Sequence, residues 1–196
     1  MNSEHATKLV VKSLNDSEEA IKTLDVTKIM EIAQVVVSCY KKGGKIMLCG
    51  NGGSASQAQH LAAELVCKFR LKRKALSALA LTSDASILTA QANDNGFETV
   101  FERQVEAHGR KGDALICIST SGQSENVLRA LLLAKKKGII TVAFVGNNRN
   151  SRIATVADHR LFVMSGDTPR VQEAHLAAGH VICDLVEKEL ATSFKA

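Results

Sequence analysis

Five short apolar runs, spaced by helical patterns, constrain this chain most. They are KIMLCG (45–50), SALAL (77–81), ALICIS (114–119), ITVAFVG (140–146) and HRLFVM (159–164). None alternates apolar with polar, as expected of strands buried on both faces. Helical patterns fall between them at 54–68, 84–92, 97–108, 124–137 and 150–156. A long last helix is expected from Pro169 to Leu190, with proline at its start. Strand–helix alternation of this kind predicts an α/β fold, a parallel sheet covered by helices on both faces. Residues 3–24 and 27–42 read as an N-terminal helical pair that breaks near Asp25. With no strand of their own, these helices must pack on the sheet or on another subunit.

The 196 residues suit one domain, read as 1–196 with 1–42 as its helical N-terminus. Aromatics are 4% and Trp is absent, so Ile, Leu, Val and Ala must fill the core. A net charge of +5 suits an anionic ligand and also weak nucleic-acid attraction. The basic run KFRLKRK (68–74) lacks the interleaved aromatics of a single-strand binder and reads as a solvated loop. We expect no nucleic-acid partner. Cys39, Cys49, Cys67, Cys117 and Cys183 form no C-x-x-C pair, which points to a reducing compartment. MNSEHATKLV lacks a secretory pattern, and no apolar run reaches about 18 residues. The expectation is a cytoplasmic chain with no membrane partner.

Ligands in such sheets bind beyond the carboxyl ends of the strands. GNGGS (50–54) follows the first strand. Its glycines allow close backbone approach, and the next helix offers free N–H groups. Gly50-x-Gly52-x-x-Ala55 fits the dinucleotide fingerprint, but position 70 is Arg70 where an acid is needed. A structural turn and an anion or polyol site both remain open. STSGQSEN (119–126) follows the third strand and supplies four hydroxyls, from Ser119, Thr120, Ser121 and Ser124. One serine would cap a helix; four around a glycine suit a phosphate. In ANDNGF (92–97), Asn93 and Asp94 offer groups for sugar hydroxyls, or simply a turn.

His60 and Glu64 are spaced i, i+4 and share one helix face. An ion pair, a metal half-site and acid/base machinery all fit. On the last helix, Gln172 and His180 lie about 80° apart around the axis. His180 sits in a mostly apolar pattern, so a core role and a functional one compete. Two His and a Glu make a credible Zn²⁺ set with an open position. The same Glu and His make a credible proton-transfer pair.

With these stretches together, the chain resembles the sugar isomerase (SIS) domain family, and within it the phosphoheptose isomerase branch. The resemblance rests on CGNGGSASQAQHLAAELV, ANDNGFETVFERQV, ALICISTSGQSENVLRAL and DTPRVQEAHLAAGHVICDLVEKEL. It implies a five-stranded parallel sheet between helices, assembled as a homotetramer. It also implies conversion of sedoheptulose 7-phosphate to D-glycero-D-manno-heptose 7-phosphate, toward activated heptose for surface glycans such as lipopolysaccharide core or capsule. Carried over by position, Asn51, Gly52, Gly53, Asn93, Asp94 and Gln172 contact substrate, and Ser119, Thr120, Ser121 and Ser124 hold its phosphate. On the same resemblance, Glu64 and His180 would be the acid/base pair. His60, Glu64, Gln172 and His180 would, by the same resemblance, hold one zinc per subunit. The pattern departs at Ser77, where the family places proline, away from the chemistry. Rival readings are an isomerase of another sugar phosphate and a non-catalytic relative that binds a replication initiator. The latter resembles this chain in its phosphate loop but lacks the Glu and the second His, both present here.

Overall fold

The computed structural model describes residues 2–193. The chain opens with α1 (Ser3–Lys22) and α2 (Val26–Lys41). There follow β1 (Ile46–Gly50), α3 (Gly53–Val66), β2 (Ala78–Ala80) and α4 (Ala85–Asn95). A 3₁₀ turn (Phe97–Thr99) leads into α5 (Val100–His108), β3 (Ala114–Ser119) and α6 (Glu125–Lys136). Last come β4 (Ile140–Val145), α7 (Arg152–Val156), β5 (His159–Phe162) and α8 (Thr168–Ser193).

All five strands are parallel, in the order β2-β1-β3-β4-β5. Side chains alternate between two cores, because successive Cβ atoms of a strand point to opposite faces. Ile46 and Leu48 join α2, α3 and α8 on one face. Met47 and Cys49 join α5, α6 and α7 on the other. Every residue of β1 and of β3 is buried, which explains their unbroken apolar runs. Strand order reverses between β1 and β3, so the chain leaves their carboxyl ends toward opposite faces. That divergence opens a crevice.

The N-terminal pair divides its roles. Asp25 caps α2 by accepting N–H bonds from Thr27 and Lys28. α2 then buries Ile29, Ile32 and Val36 against the sheet. α1 packs on α8 instead and leaves Leu9, Val10, Val11 and Leu14 exposed. Among the described residues, no helix is long and apolar enough to cross a membrane.

Two expectations need correction. ANDNGF is not a loop: α4 runs through Asn93 and Asp94 and ends only at Gly96, whose φ of 89° leaves the helical region. Neither is the basic run wholly solvated, since the Arg73 side chain is 2% exposed.

Candidate active site

A cleft of about 300 Å³ opens at the switch point, between the loops that follow β1 and β3. Asn51, Gly52, Gly53 and Ser54 line one side. Ser119, Thr120, Ser121 and Ser124 line the other, and Thr168 and Gln172 close the end. Among the described residues, no charged side chain lines it. Its positive character comes from backbone instead. The first residues of α3 and α8 and the N-cap of α6 all face the cleft. Helix N-termini carry unpaired N–H groups and a partial positive charge, which suits an anion.

Local hydrogen bonds shape both loops. Gly52 (φ 54°) and Gly122 (φ 65°) hold the left-handed turns. The Ser119 and Ser124 hydroxyls lie 3.1 Å apart, and Ser121 Oγ accepts the N–H of Gln123. Asn51 and Asn126 exchange two side-chain amide bonds of 2.9 Å, tying one loop to the other. Gln57 Nε2 donates to the Gln172 carbonyl at 2.5 Å and docks α3 on the start of α8. The Gln172 amide occupies the space that a Cβ on Gly53 would need, 2.5 Å away at its nearest.

Further along the same two helices, His60, Glu64 and His180 come together. His60 Nε2 lies 2.8 Å from His180 Nε2 and 3.4 Å from Glu64 Oε1. One ligand atom from each of the three falls within 4.8 Å of the others. The trio is half open to solvent, so a small molecule can reach it. His60 is seven residues beyond Gly53, about 10 Å along α3.

The structure thus gathers Asn51, Gly52, Gly53, Ser119, Thr120, Ser121, Ser124 and Gln172 at the cleft, and His60, Glu64 and His180 at the trio. Gln172, eight residues before His180 and about 12 Å along the axis, lines the cleft. Asn93 and Asp94 are exposed on α4, bonded to each other at 2.8 Å, and do not line the cleft. Sequence reasoning passed over Asn126, Gln57 and Thr168. For Asn126 a signal existed, since it closes the hydroxyl motif. The buried histidine of α8 is His175, 1% exposed, and not His180. Burial pushes the pKa of His175 down to about 4, against the opposing bond to the Val145 carbonyl.

The SIS domain family model matches residues 11–146. A phosphoheptose isomerase of Clostridium acetobutylicum is 53% identical over 165 residues, covering 84% of each chain. One from Geobacter metallireducens is 46% identical over 190 residues, 97% of this chain and 99% of its own. The solved phosphoheptose isomerase of Neisseria gonorrhoeae superposes with a TM-score of 0.85 at 38% identity, covering 94% of this chain and 98% of that one. By sequence over most of its length and by fold over nearly all of it, the chain belongs to the SIS domain family, among the phosphoheptose isomerases.

Proposed function

We propose that the chain isomerises sedoheptulose 7-phosphate to D-glycero-D-manno-heptose 7-phosphate. The observation that carries the reading is the pairing of an uncharged, hydroxyl-lined cleft with the His60–Glu64–His180 trio about 10 Å along α3. A linear sugar phosphate needs such a separation between its anchored and its reacting ends. The phosphate would sit among Ser119, Thr120, Ser121 and Ser124, with Asn51, Gly52, Gly53 and Gln172 along the sugar. Asn93 and Asp94 would reach substrate only where another subunit brings them to the cleft.

Converting the ketose to the aldose moves hydrogen from C1 to C2 and exchanges carbonyl and hydroxyl between them. The difficult step forms an enediolate from a weakly acidic carbon. Glu64 takes the proton from C1 and returns it to C2. His180 transfers the proton between the two oxygens. Anchoring the phosphate holds the reacting carbons near both groups, so binding energy remote from C1 lowers the barrier.

Two imidazoles and a carboxylate within 4.8 Å of one another fit a zinc ion with an open position. His60, Glu64 and His180 would hold it, and the resemblance adds Gln172 as a further donor. Bound there, zinc would polarise the substrate carbonyl as a Lewis acid, and it would compete with the proton for Glu64.

We read residues 1–196 as one domain, working in the cytoplasm as a homotetramer. The exposed apolar residues of α1 support assembly. Glu64→Gln is the direct test. The variant should still bind sedoheptulose 7-phosphate while kcat falls about 10²–10⁴-fold, the scale of a lost acid/base group. Normal turnover by that variant would remove Glu64 from the chemistry.

A further inference from the structure

The loop after α3 is held by one buried ion pair. Glu187, on α8, is 1% exposed. Its carboxylate accepts the backbone N–H groups of Phe69 (3.0 Å), Arg70 (2.6 Å) and Leu71 (2.7 Å). It also accepts Arg73 Nε at 3.0 Å. All four bonds go to this one loop. Arg73 spends its remaining donors nearby: Nη2 donates to the Glu64 carbonyl at 2.8 Å, and Nη1 to the Lys74 carbonyl at 3.0 Å.

Two consequences reach the trio. The Glu64 carbonyl lies in the last turn of α3, where no later helical N–H serves it, and Arg73 caps it. The loop also lays the Phe69 ring on His180, with centroids 5.5 Å apart and planes 30° from parallel. A single clasp therefore sets the helix end that carries Glu64 and the ring that backs His180.

Stability alone is a weak reason for such a pair. Apolar residues of similar volume often replace a buried ion pair at no loss, because desolvation offsets the attraction, although here three backbone N–H groups would lose their acceptor. Phe69 is half-buried and packs at the edge of the core.

We propose that Arg73, Glu187 and Phe69 are positioning residues that fix Glu64 and His180 relative to each other. This rests on the isomerase reading above. Outer-shell groups of this kind typically change metal affinity or activity by about 10–100-fold when altered. The clasp acts at the reacting end and leaves the phosphate cleft untouched.

The test uses full-length Phe69→Leu, Arg73→Lys and Glu187→Gln. Melting temperature, Zn²⁺ affinity by chelator competition, and kcat and KM for sedoheptulose 7-phosphate are measured for each. Glu187→Gln should be the least stable, since it buries the Arg73 charge without a partner. Phe69→Leu leaves the ion pair intact and decides the matter if the other two do not fold. In folded variants we expect kcat to fall about 10-fold or more and Zn²⁺ affinity about 10-fold, with KM within about twofold. Wild-type kcat and Zn²⁺ affinity in folded Phe69→Leu and Arg73→Lys would overturn the proposal. So would a loss seen only in KM. A wild-type chain inactive on sedoheptulose 7-phosphate refutes the substrate reading instead, and Zn²⁺ affinity then decides the clasp.

Discussion

Lowering the pH should destabilise this protein through a histidine outside the proposed chemistry. His175 packs 5.7 Å from the Phe144 ring and 3.2 Å from the Val145 carbonyl. Since Nε2 must donate to that carbonyl, Nδ1 is the bare nitrogen, and it has no partner among the described residues. Burial lowers the pKa to about 4, outweighing the bond to Val145. In the unfolded chain a histidine titrates near 6.5. As pH falls, the unfolded state therefore takes the proton first. The stabilising contribution of neutral His175 is complete above about pH 6.5 and drains between about 6.5 and 4. At 1.36 kcal/mol per pH unit, the window is worth about 3 kcal/mol. Urea unfolding of wild type and His175→Leu, followed from pH 7.5 to 4.5, reads the difference directly. The variant should lose about 1 kcal/mol at neutral pH with its hydrogen bond. Its stability should then fall less steeply than that of wild type. Groups that titrate in both proteins cancel in the comparison. Parallel profiles for the two proteins would refute the reasoning.

Two glycines of the first loop should separate folding from activity. A Cβ on Gly50 would lie 2.8 Å from the Ile118 carbonyl oxygen and 2.9 Å from the Ser54 backbone oxygen, which cannot yield. Gly50→Ala should therefore cost about 2 kcal/mol and lower Tm by roughly 4–8 °C in thermal unfolding. The three atoms nearest to a Cβ on Gly53 all belong to the Gln172 side chain, whose end can swing away. Gly53→Ala should keep Tm within about 2 °C, while kcat/KM falls about 10-fold as Gln172 leaves the cleft. Ser124→Ala loses its bond to Ser119 and should lower Tm by about 2–4 °C, while kcat/KM falls about 10-fold, the value of one hydrogen bond to a charged group.

What sequence could reach was whatever local order determines. Strands buried on both faces must be continuously apolar, so β1 and β3 stand out. A glycine turn or a run of hydroxyls is read wherever it occurs, and both fell at strand ends as expected. His60 and Glu64 share a face through helix geometry alone. The helix end at Asn93 and Asp94 was not legible because N-D-N-G reads equally as a turn and as a helix end, and here α4 continues to Asn95.

Contacts between distant residues were decided by the tertiary structure. His175 and His180 sit in one apolar pattern, and nothing local tells them apart. The packing of α8 against β4 buries His175, while its packing against α3 brings His180 to His60, 120 residues earlier. Arg73 lies in what looks like a solvated basic run, yet Glu187, 114 residues later, draws it into the protein. Order along the chain specifies strands, turns and the spacing on one helix face, because those depend on neighbours. Only the docking of α3 and α8 over the sheet brings the proposed proton-transfer groups and their clasp together, because burial and pairing depend on what folds against them.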